Sequence, residues 1–239
     1  MTLTKLADID AAIIDLDGTM VDTLGDFVVA LNLMLGDLGY PDVAPAAVAV
    51  RVGKGAEHLV GAILNHVRAD ANTGLSATNN KASSALDKEL ALALTLYQRH
   101  YRIVNGQHSQ VYPGVVDGLE AMQSAGLALA CLTNKPLAFA TALLKLKGLD
   151  RYFSQVFGGD SFARKKPDPT PVLGTCAALN VLPPRCMMVG DSSNDAQAAR
   201  AAGCPVMLVT YGYNHGEPVL TTGADATIDS LADLVGRLG

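Results

Sequence analysis

A strand-length apolar run occurs once near the start of the chain, at residues 9–16, and the pattern does not return until residue 127, after which such runs recur between segments of helical period. Short apolar runs bounded by turn signals suit buried strands, and strands that alternate with helices require a parallel sheet covered on both faces. The pattern predicts an α/β fold: a Rossmann-like parallel-sheet core, split in sequence by an all-helical insert. The core spans residues 1–20 and 108–239, and the insert spans 21–107. Core strands are predicted at 9–16, 127–132, 155–157, 187–189, 206–209 and, weakly, 226–228; helices are predicted at 118–124, 137–147, 171–179, 195–202 and 231–237. Within the insert, Phe27, Ala30, Leu31, Met34, Leu35 and Leu38 fall at spacings of three and four, one face of a helix over 26–38. Further helical patterns cover 46–50, 56–67 and 86–104, with no strand among them, and the Asn-, Ser-, Thr- and Ala-rich stretch 70–84 reads as a loop.

Composition limits what such a fold can serve. Of 239 residues, 49% are hydrophobic and 17% charged, enough to bury roughly 70% of the unfolded surface without disulfides or a structural metal. Lys and Arg number 18 against 23 Asp and Glu, a net charge of −5 with no basic run, which argues against a nucleic-acid surface. No uninterrupted apolar stretch reaches the ~18 residues a membrane span needs, so a soluble protein with no membrane partner is expected. The apolar stretch 11–14 is flanked by Asp8, Asp10 and Asp15 where a signal peptide requires an uncharged core. Cys131, Cys176, Cys186 and Cys204 lie 45, 10 and 18 residues apart without a C-x-x-C pair, which suits buried thiols in a reducing cytoplasm.

Ligands of open parallel sheets bind beyond the carboxyl ends of the strands, and this chain's polar residues gather there. Asp15 and Asp17 flank Leu16 at the first strand end, and in extended chain that spacing points both carboxylates to one side. Hard oxygen ligands so paired suit Mg²⁺; the plainer alternative is a strand closing in an Asp-Gly turn. Thr133 and Asn134 close the second core strand with groups able to donate to phosphate oxygens. Lys166, before Pro167, offers a fixed positive charge, or else half of a solvated Lys165-Lys166 pair. Asp191 can complete a metal site after the fourth strand, and Asp195 either braces that loop or serves as a helix N-terminal charge.

These motifs in this order resemble the haloacid dehalogenase superfamily of phosphotransferases: D-x-D-G-T at Asp15 to Thr19, then Thr133-Asn134, Lys166-Pro167 and G-D-x-x-x-D at Gly190 to Asp195. The segments LTNKP (132–136), 165–169, 199–205 and YGYNHGE (211–217) resemble the bacterial phosphoglycolate-hydrolysing branch of that superfamily. The resemblance implies a cap in the helical insert, Asp15 as nucleophile forming an aspartyl-phosphate, and Asp17 as acid and base. It implies Mg²⁺ held by the Asp15 carboxylate, the Asp17 carbonyl and Asp191, phosphate oxygens held by Thr133 and Lys166, and Asp195 in support. The substrate expected is a small phosphorylated carboxylate, 2-phosphoglycolate, and the protein a monomer or homodimer.

In the insert, Arg51-Val52-Gly53-Lys54-Gly55-Ala56-Glu57 is a glycine-flexed loop opening a helix, so Arg51 and Lys54 are candidates for holding the substrate carboxylate; the alternative is a helix connection with two solvated cations. It follows no strand, and His58 stands where a dinucleotide fingerprint needs its third glycine. Residues 15–26 fail as an EF-hand because Met20 replaces the required glycine, and none of His58, His66, His100, His108 and His215 pairs at metal spacing. Competing readings within the fold are a phosphatase for another small ester, a phosphosugar mutase and a phosphonoacetaldehyde hydrolase using Lys54 as a Schiff base. From outside the enzymes, a non-catalytic binding module competes, although none of its six core positions would have been replaced.

Overall fold

The computed structural model describes residues 8–71 and 80–234. Its centre is a six-stranded parallel sheet in the order β5-β4-β1-β6-β7-β8, built from β1 (Ala11–Ile14), β4 (Ala128–Leu132), β5 (Gln155–Phe157), β6 (Cys186–Gly190), β7 (Val206–Val209) and β8 (Ala226–Ile228). β1 is one of the two central strands, with Ile14 opposite Cys131 on β4 and Val189 on β6. The two-residue alternation of a strand decides which layer each side chain joins. Ala12, Ile14, Met187, Val189, Met207 and Val209 pack with Val115 and Leu119 of α5 (Val115–Ser124) and Leu143 and Leu144 of α6 (Leu137–Leu146). Their neighbours Ala11, Ile13, Met188 and Leu208 face the opposite layer, where they meet Val172 and Cys176 of α7 (Thr170–Leu179) and Ala196 and Ala199 of α8 (Ser193–Ala202). Both faces are therefore covered, the α/β architecture expected from the sequence. All four cysteines are buried free thiols.

Between β1 and β4 the chain forms α1 (Leu24–Asp37), α2 (Pro45–Ala49), α3 (Ala56–Ala71) and α4 (Asn80–Val104). These helices enclose an apolar core of their own that includes Phe27, Leu31, Leu35, Ile63, Leu64, Tyr97 and Tyr101; full burial of each large side chain stabilises by about 1.5–3 kcal/mol. Asp26, fully buried on α1, accepts hydrogen bonds from the backbone N–H groups of Gly106 and His108 at 2.7 Å each, pinning the chain just beyond α4 to α1. Two short strands, β2 (Val21–Asp22) and β3 (Gln110–Val111), pair antiparallel where the chain leaves the sheet layer and where it returns.

Three sequence expectations need correction. No strand was expected within the insert or near its end, yet β2 and β3 form, because each is only two residues long and carries no readable period. The loop expected at 70–84 is partly helical: α3 continues through Ala71 and α4 begins at Asn80, with 72–79 outside the described residues. The helix expected at 231–237 is a 3₁₀ turn at Leu231–Leu234, its remainder also outside the described residues. Among the described residues, no helix is long and apolar enough to cross a membrane.

Candidate active site

The loop closing β1 is set by its backbone. Asp15 N–H extends the ladder to the Val189 carbonyl at 2.9 Å, and then Met20 and Val21 both turn back onto the Leu16 carbonyl at 3.0 Å. Gly18 takes φ +86°, and a Cβ there would collide with the Asp191 carboxylate, so the turn needs glycine for conformation and for space alike. Asp15 and Asp17 emerge buried on the wall of one cleft with Thr133 and Asn134 from the end of β4.

Asp15, Asp191 and Asp195, all buried, each bring a carboxylate oxygen within 4.8 Å of one another. Lys166 Nζ stands among them, 2.7 Å from Asp195 Oδ1, 2.8 Å from the Leu132 carbonyl and 2.9 Å from Asp15 Oδ1. The contact with Asp15 is an ion pair, and Asp15 Oδ1 has no hydrogen-bond partner among the described residues. Asp195 also accepts at Oδ2 from the Ser192 hydroxyl at 2.7 Å and the Ser192 N–H at 3.2 Å, closing the capping box that starts α8. It thereby holds Lys166 and the Asp191 loop together.

Burial raises the Asp15 carboxyl to about 7 even against the attraction of Lys166. Asp191 is pushed well above the carboxylate range, by burial first and then by Asp195 and Asp15. Burial opposes the charge of Lys166, but Asp15 and Asp195 outweigh it and hold the ammonium above the usual lysine range. Three buried carboxylates around one ammonium are short of positive charge, and one buried oxygen of Asp15 has no hydrogen-bond donor among the described residues; an oxygen-ligand dication such as Mg²⁺ fits this donor set.

Asn134 has both ends of its amide occupied: Nδ2 donates to the carbonyls of Gly53 at 2.9 Å and Lys166 at 2.8 Å, and Oδ1 accepts from Lys166 N–H at 3.0 Å. It ties the loop before α3 to the loop carrying Lys166. Asn194 adds a weaker bond to the same Gly53 carbonyl, at 3.3 Å, and a 3.2 Å contact with His215. Val52, Gly53 and Gly55 thus line the cleft through their positions in this loop, but Arg51 and Lys54 do not. The Arg51 guanidinium bonds the Ala47 carbonyl, and Lys54 is exposed on a neighbouring shallow depression with Glu57, His58 and Lys165.

Sequence reasoning assigned no role to Lys135, which is buried and donates to Asp17 Oδ1 at 2.6 Å while lying 4.7 Å and 4.9 Å from the ring centres of Phe27 and Tyr101. Its position directly after Thr133-Asn134 was the available signal. Tyr213 was likewise quoted without a role: its hydroxyl meets Asp22 Oδ1 at 2.5 Å and accepts from the N–H groups of Thr23 and Leu24 at 2.8 and 3.0 Å, while its own N–H donates to Asp191 Oδ2 at 2.7 Å.

The family model for haloacid dehalogenase-like hydrolases matches residues 9–203, from β1 through α8. The chain belongs to the haloacid dehalogenase-like hydrolases. Among relatives in this hydrolase family, it is 41% identical over 225 residues to a phosphoglycolate phosphatase of Thiobacillus denitrificans, covering 94% of this chain and 93% of that protein. It is 36% identical over 241 residues to a phosphoglycolate phosphatase of Salmonella typhimurium, covering 99% and 95%. The crystal structure of a predicted phosphoglycolate phosphatase from Haemophilus somnus superposes with a TM-score of 0.87 at 31% identity, over 96% of this chain and 97% of the other.

Proposed function

We propose that this hydrolase is a Mg²⁺-dependent phosphatase that converts 2-phosphoglycolate to glycolate and phosphate through an aspartyl-phosphate on Asp15. The observation that carries the reading is the convergence of Asp15, Lys166, Asp191 and Asp195 from different strand ends, beside a cleft shared by Asp17 and Thr133. Similarity over nearly the whole chain to proteins named phosphoglycolate phosphatase supports the substrate.

In this reading Asp15 attacks phosphorus in line, the ester oxygen leaves, and water then hydrolyses the acyl phosphate; one difficult displacement becomes two easier ones. Asp17 protonates the leaving oxygen and afterwards takes a proton from the attacking water, a contribution of roughly 10²–10⁴-fold. Thr133 and Lys166 hold the equatorial oxygens as charge builds on them. Mg²⁺ would be held by the Asp15 carboxylate, the Asp17 carbonyl and Asp191, and when bound it offsets repulsion between the carboxylates and the phosphate. Asp195 and Asn134 act through Lys166: the former fixes its ammonium, the latter its backbone.

We also read residues 21–107 as a cap over a core of 1–20 and 108–239. The separate apolar core of α1–α4, the paired crossings β2 and β3, and the bonds from Asn134 and Asn194 to Gly53 support this division. A cap so seated keeps bulk water from the acyl phosphate.

The test is phosphate release from a panel of small esters, with and without Mg²⁺, including 2-phosphoglycolate and β-glucose 1-phosphate. Mg²⁺-dependent release with the highest kcat/KM on phosphoglycolate is expected. Isomerised sugar phosphate without release would turn the reading to a mutase, and no reaction with any ester would turn it to a binding module.

A further inference from the structure

The cleft beside Asp15 is walled by Phe27, Val52, Leu59, Tyr97, Tyr101 and Phe139, and among its described lining residues the single cation is Lys135. That side chain is only 2% exposed. An ammonium has three N–H groups, and among the described residues just one of Lys135's finds an oxygen acceptor, Asp17 Oδ1 at 2.6 Å. The faces of Phe27 and Tyr101 supply the rest of its surroundings. A buried cation with unused donors is costly unless an anion completes its shell. On the same wall Tyr101 is 1% exposed, and its hydroxyl has no hydrogen-bond partner among the described residues. A buried phenol normally finds a partner.

We propose that Lys135, assisted by the Tyr101 hydroxyl, is the subsite for the substrate's carboxylate, and that it sets the preference for a phosphorylated two-carbon acid. The inference rests on the proposed function and names the group that recognises the end of the substrate remote from phosphorus. Lys135 follows Thr133 by two residues, so a molecule whose phosphate lies against Thr133 needs only a short arm to bring a carboxylate to the ammonium. The donor to Asp17 stays in place while the free N–H groups turn to the incoming anion. The rings of Phe27 and Tyr101 exclude water and strengthen that contact. A neutral or longer substituent leaves the ammonium short of acceptors, which turns binding of the carboxylate into discrimination against esters that lack one. The half-buried Arg51, bonded to the Ala47 carbonyl, and the exposed Lys54 lie off this cleft and have no part in it.

The test compares 2-phosphoglycolate with ethyl phosphate, which carries a methyl group where the acid carries its carboxylate. For Lys135→Met the ratio of the two kcat/KM values is expected to fall at least 30-fold relative to wild type, because only the acid loses a partner. An equal loss on both esters would overturn the assignment and leave Lys135 as a positioning residue for Asp17. If K135M does not fold, the same ratio in Tyr101→Phe decides: a fall of three-fold or more supports the subsite, and an unchanged ratio overturns it. Wild-type enzyme with no preference for phosphoglycolate would instead overturn the substrate reading beneath the inference. Retained preference in wild type and variant alike would overturn the Lys135 assignment alone.

Discussion

At the scale of single residues, the site is a problem of charge placed out of water. Asp15 is buried beside Lys166, and its Oδ1, 2.9 Å from the ammonium, has no hydrogen-bond donor among the described residues; the proposed function makes this carboxylate the nucleophile. Asp15→Asn keeps the shape and loses the nucleophilic charge, so kcat is expected to fall by roughly 10³-fold or more with the folded circular-dichroism spectrum unchanged. Steady-state phosphate release by that variant within a hundred-fold of wild type would remove Asp15 from the role. The residues readable from sequence are those whose partners are local or at strand ends: the D-x-D turn, Lys166 before Pro167, and Asp195 three residues into the α8 capping box. Lys135 and Tyr101 were not readable, since they meet only because α4 of the insert lies over the end of β4. Nothing in the spacing of 34 positions between them announces that contact. Arg51, expected from its loop to face the substrate, instead bonds the Ala47 carbonyl of the preceding helix and does not line the cleft.

At the scale of elements, the strands β5, β7 and β8 match the expected residues at both ends, because a buried parallel strand is an apolar run cut off by polar turns. β2 and β3 escape because tertiary pairing rather than pattern defines them, and the start of α4 escapes because its Asn- and Ser-rich sequence has weak helix propensity that the chain overrides. The same crossings are held by side chains. Tyr213 reaches from beyond β7 to accept from Thr23 and Leu24 at the start of α1; Tyr213→Phe leaves two backbone donors without that acceptor, and a loss of about 1–3 kcal/mol is expected from urea unfolding. A lower kcat/KM should accompany it, because the N–H of the same residue orients Asp191. Asp26→Ala unpins the far end of the insert by stranding the N–H groups of Gly106 and His108, both bonded at 2.7 Å. A larger loss of about 2–5 kcal/mol is expected, with Asp26→Asn recovering part of it; a loss under about 0.5 kcal/mol would show that these bonds do not anchor α4.

At the scale of the whole molecule, activity and stability pull against each other at the strand ends. The sheet brings Asp15, Asp191 and Asp195 within 4.8 Å of one another without enough positive charge to match them, and burial drives the first two above the carboxylate range. β1 and β6, which carry Asp15 and Asp191 at their ends, are buried throughout, so repulsion there is felt by the fold as a whole. A divalent cation that binds the folded chain and not the unfolded one adds RT ln(1 + [L]/Kd), about 2.7 kcal/mol at a hundred times Kd, and for a protein of this size that raises Tm by about 5–10 °C. Asp191→Asn replaces a carboxyl whose charged form burial and its acidic neighbours disfavour, while keeping the acceptor for Tyr213 N–H. The expected result in differential scanning calorimetry is therefore a crossover: without Mg²⁺ the variant melts above wild type, and with saturating Mg²⁺ wild type melts above the variant, whose own Tm hardly moves. A variant that gains as much from Mg²⁺ as wild type does would show that Asp191 holds no metal. A variant less stable than wild type without Mg²⁺ would show that the Asp191 carboxylate is stabilised by its neighbours rather than strained by them.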